Sequence, residues 1–442
     1  MHLRRNVVIV IAYILLTVLC GTITIPPSRA YAQPIIEWSK TIGGWDWDVA
    51  YSVQQTDDGG YILVGYTWSS GAGVDDVYLV KTDNNGREQW SKTFGGPYND
   101  TGFDVQQTMD GGYVIVGGTT SFDTGDYDVY LIKTSSNGNE VWTKTFGDPD
   151  DDNYGYSVQQ TTDGGYIIAG EAWLSDTDEY DVYIIKTDSE GEKEWGFLGG
   201  GSGDDGGYSV QQTTDGGYII AGYTDSFGVG FYDVYLVKTD SNGEREWQKT
   251  FGGPEDDGCM FVQQTSDGGY IIVGYSCSFS EGDYDVYLVK TDSNGNEEWS
   301  KTFGDTGDDF GHSVQETYDG GFVIVGDSNS FNGGDYYYDV YLIKTDSIGE
   351  EEWSETFGYS DDDTGWSVKQ TTDGGYIIAA ETWDPNVDDV DVYLIKVKME
   401  KPEAEPEADG NGGFVIPGFP QNTITIGLLV IAFALWFMKR KP

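Results

Sequence analysis

Histidine is almost missing from this chain: there are two in 442 residues, and only His312 lies beyond the N-terminal segment. Zinc sites built on histidine clusters are therefore excluded, and Ser-His-Asp hydrolysis has a single base to draw on. Cysteine is as scarce, three residues without a CxxC pair, which removes thiolate metal knots and dithiol redox motifs. There is no GxSxG elbow and no phosphate loop. The paired glycines that recur in the chain are not followed by a helix, so they make no phosphate cradle. Positive charge is short as well: 24 Lys and Arg stand against 75 Asp and Glu, a formal net charge of −51. Such a surface repels nucleic acid and anionic headgroups, and neither is expected as a partner. An acid excess suits solubility outside the cell, high salt or bound divalent cations.

What the chain has in abundance is itself. The triplet DGG begins at Asp58, Asp110, Asp163, Asp215, Asp267, Asp319 and Asp373, at intervals of 52 to 54 residues. The tyrosine of DVYLIK and the tryptophan of EWxKTFGG recur with it, from Tyr78 to Tyr393 and from Trp38 to Trp353. Within one period, runs rich in Val, Ile, Tyr, Trp and Thr alternate with Gly, Asp and Asn clusters, the pattern of strands and turns. In the unit from Tyr208 to Gly253 they read YSVQQT, GYIIAGYT, DVYLVKTD and REWQKTFGG. Four-stranded units of about 50 residues repeated seven times predict an all-β, seven-bladed β-propeller over residues 33–398. The first tryptophan strand precedes the first DGG, and the last DVYLIK strand has no tryptophan strand after it. With SVQQT innermost, the N-terminal strand completes the last blade and closes the ring.

The segment LVKTDSNGEREW (Leu236 to Trp247) resembles the pyrroloquinoline-quinone-type propeller repeat. Residues 35 to 398 also look like DGGY surface propellers of archaea and bacteria. The quinone enzymes imply eight blades, a vicinal disulfide and a catalytic Asp beside calcium. Seven blades and no adjacent cysteines leave only the blade to carry over, with neither quinone nor haem expected.

The ends carry addresses. Residues 1–32 have Arg4 and Arg5, an apolar run from Val7 to Leu19 and an A-x-A arrangement at Ala30 and Ala32, the marks of a signal peptide. An acidic, proline-containing linker (399–416) leads to a tail, 417–442. Its apolar run from Thr423 to Met438 spans roughly 24 Å as a helix and ends in Lys439, Arg440 and Lys441. Basic residues there stay cytoplasmic and leave the propeller outside. Pro417, Gly418 and Phe419 with this tail resemble the PGF-type sorting signal of archaeal surface proteins. That resemblance implies processing by signal and sorting peptidases and replacement of the tail by a lipid, and a plain transmembrane anchor is the other reading. Either way the chain is expected at the outer face of the cell membrane.

Both hairpin turns of a blade repeat closely, whereas the connections on the opposite disc face vary and are acidic. Ligand sites gather in variable loops on rigid scaffolds, which points to that face. Its acids include Asp150, Asp151, Asp152, Asp204, Asp205, Asp256, Asp257, Asp308, Asp309, Asp361, Asp362 and Asp363. Hard oxygen ligands at this density suit calcium, and solvated acids that cap turns are the alternative. Phe122, Phe227, Phe279 and Phe331 on the same face either stack on a sugar or plug their loops onto the blade. Asn99-Asp100-Thr101 is a glycosylation sequon there. His312 stands where other copies have Tyr156 and Tyr208, and it reads as a packing position. If Ser266 faces Tyr270 across its turn, Cys259 and Cys277 fall opposite one another, and a disulfide is expected in an oxidising exterior. These features together point to a non-catalytic surface module binding or adhering to extracellular protein or polysaccharide, with calcium assisting. The alternatives are a carboxylate-based polysaccharide hydrolase or lyase, and a structural component of the cell envelope.

Overall fold

The DGG turn shows how the repeat folds. In the first copy the Thr56 N–H donates to the Gly60 carbonyl (2.9 Å) and the Gly59 N–H to the Thr56 carbonyl (2.8 Å). Gly59 sits at φ 84°, a conformation that favours glycine. Gly60 is needed for a different reason: a Cβ there would stand 2.1 Å from the Thr82 carbonyl oxygen. Asp58 completes the turn by accepting from the Thr56 hydroxyl (2.6 Å), the Gly60 N–H (2.9 Å) and the ammonium of Lys81 (3.0 Å), which is 3% exposed. The lysine of every DVYLIK strand is buried in the same way. Lys238, for example, lies 3.1 Å from both Asp215 and Glu246 and donates to the Thr239 carbonyl at 2.8 Å. A buried ammonium requires this partnering, because desolvation without it costs several kcal/mol.

The computed structural model describes residues 33–122, 126–148, 151–280, 283–331, 337–358, 362–384 and 389–400. The signal segment, most of the linker, Asp150, Asp361 and the tail with Pro417, Gly418 and Phe419 lie outside the described residues. The chain forms seven four-stranded antiparallel sheets. Blade 1 runs from an inner strand (Asp48–Gln55) through Tyr61–Thr67 and Asp76–Thr82 to an outer strand (Glu88–Phe94). The inner strands of blades 2 to 7 are Asp100–Gln107, Asn153–Gln160, Asp205–Gln212, Asp257–Gln264, Asp309–Glu316 and Asp363–Gln370. In blade 7 the outer position is taken by Gln33–Ile42, paired along Asp389–Glu400 from Gln33 opposite Glu400 to Ile42 opposite Val392. The expected closure by the N-terminal strand is present.

The core is distributed among the blade junctions. One cluster joins Ile62, Val64, Val77, Leu79 and Phe94 of blade 1 to Val105, Tyr113, Ile115, Tyr130 and Ile132 of blade 2. The tryptophan of each outer strand closes such a cluster from outside. Trp90 lies 6.0 Å from the Tyr113 ring, and a Cβ on Gly138 in the next blade would stand 2.5 Å from it. Strands buried on both faces explain why DVYLIK shows no alternation.

The disulfide between Cys259 and Cys277 does not form; both are free. Gln264, not Ser266, pairs with Tyr270, and a bulge then sets Cys259 opposite Gly274. The Cys277 N–H donates to the Asp256 carbonyl (2.8 Å), three residues away from Cys259.

Two measurements test these contacts. Trp353 is 7% exposed and packs 6.2 Å from Tyr376; Trp353→Ala is expected to lower unfolding free energy by about 3–5 kcal/mol in denaturant titrations. For the turn aspartates, burial raises the pKa, but hydrogen bonds from Thr, Gly N–H and Lys outweigh it, and Asp110 and Asp267 fall to about 2. A depressed carboxylate stabilises the fold above its unfolded pKa and loses that contribution as pH falls toward its folded pKa. Melting temperature is therefore expected to drop between about pH 4 and pH 2, and less steeply in an Asp110→Asn, Asp267→Asn double variant.

Candidate functional site

The inner strands build the site. In each of them a bulge interrupts the pairing with the second strand: in blade 1 Ala50 faces Gly65 and Ser52 faces Val64, leaving Tyr51 unpaired. A bulge re-aims a side chain, and here it lets two successive residues line the propeller axis where a regular strand would offer one. Equivalent shifts occur in the other six inner strands. The axis is consequently lined by three tiers. The first is Tyr51, Phe103, Tyr156, Tyr208, Met260, His312 and Trp366; the second is Ser52, Asp104, Ser157, Ser209, Phe261, Ser313 and Ser367; the third is six glutamines and Lys369.

The upper two tiers enclose a cavity of ≈ 360 Å³. Its collar is nearly continuous: His312 lies 4.6 Å from Trp366, which meets Tyr51 edge-on at 5.1 Å, followed by Phe103 (5.4 Å), Tyr156 (5.1 Å) and Tyr208 (5.0 Å). Met260 is the break. A second cavity, ≈ 350 Å³, shares Tyr51 and Trp366 and leads outward between blades 7 and 1 past Tyr66, Trp383 and Trp47. Trp47 stacks on Trp68 at 5.2 Å and 11°. Both lie toward the face where the inner strands begin, the one with variable connections.

Acids replace tyrosine behind the collar in three blades. Glu171 accepts from the hydroxyls of Tyr156 (2.7 Å) and Tyr223 (3.0 Å), and Asp327 accepts from His312 Nε2 (2.6 Å). Burial, reinforced by the Asp327 and Asp362 carboxylates, pushes Glu381 up to about 7. A carboxyl group tuned this way beside an aromatic pocket marks a functional-site candidate. His312 thus keeps a place in the ring of packing residues and adds a hydrogen-bonded acid behind it.

The loop acids have other work. Asp205 accepts from the Gly201 N–H and the Ser226 hydroxyl (both 2.7 Å), and Asp257 does the same with Gly253 and Ser278 (both 2.6 Å). Asp309 accepts from the Asp305 N–H and the Ser330 hydroxyl. The acid one residue earlier caps a strand of the preceding blade: Asp152, Asp204, Asp256 and Asp362 accept from the N–H of Tyr127, Tyr180, Tyr232 and Tyr338. Asp308 accepts from the Tyr338 hydroxyl (3.1 Å), Asp151 from the Ser175 N–H (3.0 Å), and Asp363 is buried. Asp152-Asn153, Asp204-Asp205, Asp256-Asp257, Asp308-Asp309 and Asp362-Asp363 therefore occupy equivalent places. Among the described residues no group of three or more His, Cys, Asp or Glu is arranged to hold a metal ion. Phe122, Phe227, Phe279 and Phe331 each lie on the DVY tyrosine of their own blade, 5.2 to 5.6 Å away, and Phe122, Phe279 and Phe331 keep about half of their surface exposed. Asn99 is half-buried and donates its amide to the Tyr127 hydroxyl (3.3 Å).

The loops were expected to hold the site; the structure adds an axial cavity lined by the inner strands. The signal for it was in the sequence, as the variation Tyr, Phe, Tyr, Tyr, Met, His, Trp just before SVQQ and its variants DVQQ, FVQQ, SVQE and SVKQ.

A raised carboxyl pKa stabilises the fold below the unfolded pKa and loses that contribution as pH rises through the folded one. Between about pH 4.5 and about pH 7 the wild-type chain is expected to lose stability from Glu381, and Glu381→Gln is expected to flatten that slope in urea titrations at stepped pH.

No family model and no curated protein matches the chain. Solved structures resemble it at low identity. A protein of unknown function from Bacteroides caccae gives a TM-score of 0.40 at 13% identity over 65% of this chain and 92% of its own. The WD40 domain of Neurospora crassa Pan2 gives 0.48 at 12% over 79% and 89%. YCF48 bound to D1 peptide gives 0.46 at 9% over 85% and 99%.

Proposed function

We propose that this is a non-catalytic binding propeller that takes an extracellular glycan into the axial cavity and the groove between blades 7 and 1. The observation that carries this reading is the aromatic surface running without a break from Tyr208 around to Trp366, beside a groove that Trp383 and Trp47 line. Flat aromatic faces stack on sugar rings, and the serine hydroxyls and carboxyls beneath them supply directional hydrogen bonds. The signal segment and the PGF-like tail support display at the outer face of the cell membrane. Calcium at the loop acids belongs to the same proposal and would raise the melting temperature; an unchanged temperature in millimolar calcium removes it.

A second reading, a carboxylate-based polysaccharide hydrolase or lyase, is favoured by Glu381, whose pKa near 7 is what a general acid at neutral pH requires. Glycan-array binding of the full chain decides between them. Trp366→Ala and Trp47→Ala are each expected to weaken the best glycan by roughly tenfold, about 1.4 kcal/mol, with the bound oligosaccharide recovered intact. Shortened oligosaccharide that stays intact with Glu381→Gln would select the hydrolase, and an array without any bound glycan would overturn both readings.

A further inference from the structure

The third tier of the axis is a belt of blade-to-blade hydrogen bonds with one link replaced. Gln54, Gln106, Gln159, Gln211, Gln263 and Gln315 each accept, through the side-chain oxygen, from the backbone N–H one position further along the inner strand of the next blade, at 2.5 to 2.7 Å. In blade 7 the residue is Lys369. An ammonium has no lone pair to offer, so the seventh bond cannot be made this way. The substitution gives up a scaffold contact and puts an amine on the axis of a strongly acidic chain; burial pulls its pKa down, and the Asp104 carboxylate works against that by favouring the ammonium.

Where that amine goes is informative. Lys369 Nζ lies 4.8 Å from the centre of the Phe261 ring, and Phe261 belongs to blade 5, two blades away. Phe261 itself breaks the serine tier. Lys369, Phe261 and Asp104 line both the upper cavity and a lower one of ≈ 250 Å³, so they form the partition between the two. Asp104, the carboxylate that acts on the ammonium, spends its oxygens on the Ser52 hydroxyl (2.9 Å) and the N–H groups of Val105 (2.9 Å) and Val158 (3.0 Å). Among the described residues, no carboxylate stands within 4 Å of Lys369 and no hydrogen bond engages it. The lysines buried beside the DGG turns each have at least one such partner.

We propose that Lys369 is the anion-recognising floor of the axial cavity, and that the glycan it selects carries a carboxylate, a uronate unit whose ring stacks on the collar while its carboxylate meets the ammonium. This rests on the glycan reading above and names its chemical class. Collar and lysine are three residues apart on the inner strand, about 10 Å along the axis. The serine hydroxyls between them face the ring oxygens of a sugar lying there. A charge-assisted bond in this water-poor setting is stronger than one at the surface. The field of the rest of the chain opposes the anion, and salt screens that field more than it screens the buried contact. Affinity for the uronate is thus expected to hold or rise with ionic strength, the opposite of adventitious binding to a surface lysine.

The test is calorimetric titration of the full chain in detergent with an oligogalacturonate and with a neutral cello-oligosaccharide of equal length. The wild-type chain is expected to bind the acidic oligomer at least about tenfold tighter. Lys369→Gln is expected to reduce that ratio to about one and to melt no lower than wild type, because glutamine can restore the seventh belt bond. Lys369→Arg is expected to keep the preference. An acidic preference that survives Lys369→Gln, or equal affinities in the wild-type chain, overturns this inference and leaves the glycan reading intact. A Lys369→Gln chain that melts lower identifies a structural lysine and also overturns it. Absence of binding to either oligomer and to every glycan on the array overturns both.

Discussion

A tryptophan laid against the tyrosine and the turn glycine of the next blade is the contact on which the rest of this structure depends. It recurs at the junctions, as Trp90 on Tyr113 or Trp247 on Tyr270, and it sets how far apart two blades stand at the rim. Sheets held at that spacing bury both faces of their second and third strands, which is where the apolar clusters lie. The same spacing brings seven inner strands to a common axis and leaves room for a cavity rather than a packed centre. A blade alone could not bury its two faces, so each needs its neighbours, and the ring needs the N-terminal strand in blade 7.

Charge is used at two levels. At the rim, acids and lysines cancel in repeated local contacts: the DGG aspartate holds the buried lysine, and the loop aspartates hold backbone N–H groups and serine hydroxyls. Those contacts are alike from blade to blade, and they account for many of the acids that make the chain so negative. At the axis the polar groups that break the repeat are single: Asp104, Lys369 and the His312–Asp327 hydrogen bond each occur once. A sevenfold scaffold recognises nothing in particular until its symmetry is broken, and the breaks concentrate at the axis and between blades 7 and 1.

Much of the fold was legible as letters. The intervals between DGG triplets count the blades, the phase of the tryptophan strand predicts the closure, and positive φ at Gly59 and its counterparts agrees with the turn chemistry. The site was less legible. Cys259 and Cys277 were placed opposite one another by a turn assumed to be two residues shorter than it is, and a bulge at Met260 widened the error. Bulges are set by how two strands meet, so counting along one strand could not reveal that Tyr51 and Ser52 both face the axis. The dense acids of the loops drew attention because they vary, yet most are turned inward to backbone donors.

The sequence by itself determined the repeat, the strand class and the number of blades, because these follow from local turn geometry and from the burial of apolar strands, each written within one period. Only the tertiary structure decided which residues meet across periods. Closing the ring brings blade 7 beside blade 1 and sets Lys369 over Phe261, residues 108 positions apart in adjacent tiers of two different blades. No local pattern encodes that meeting; it exists because seven nearly equal wedges leave a hollow at the centre into which the unequal residues point.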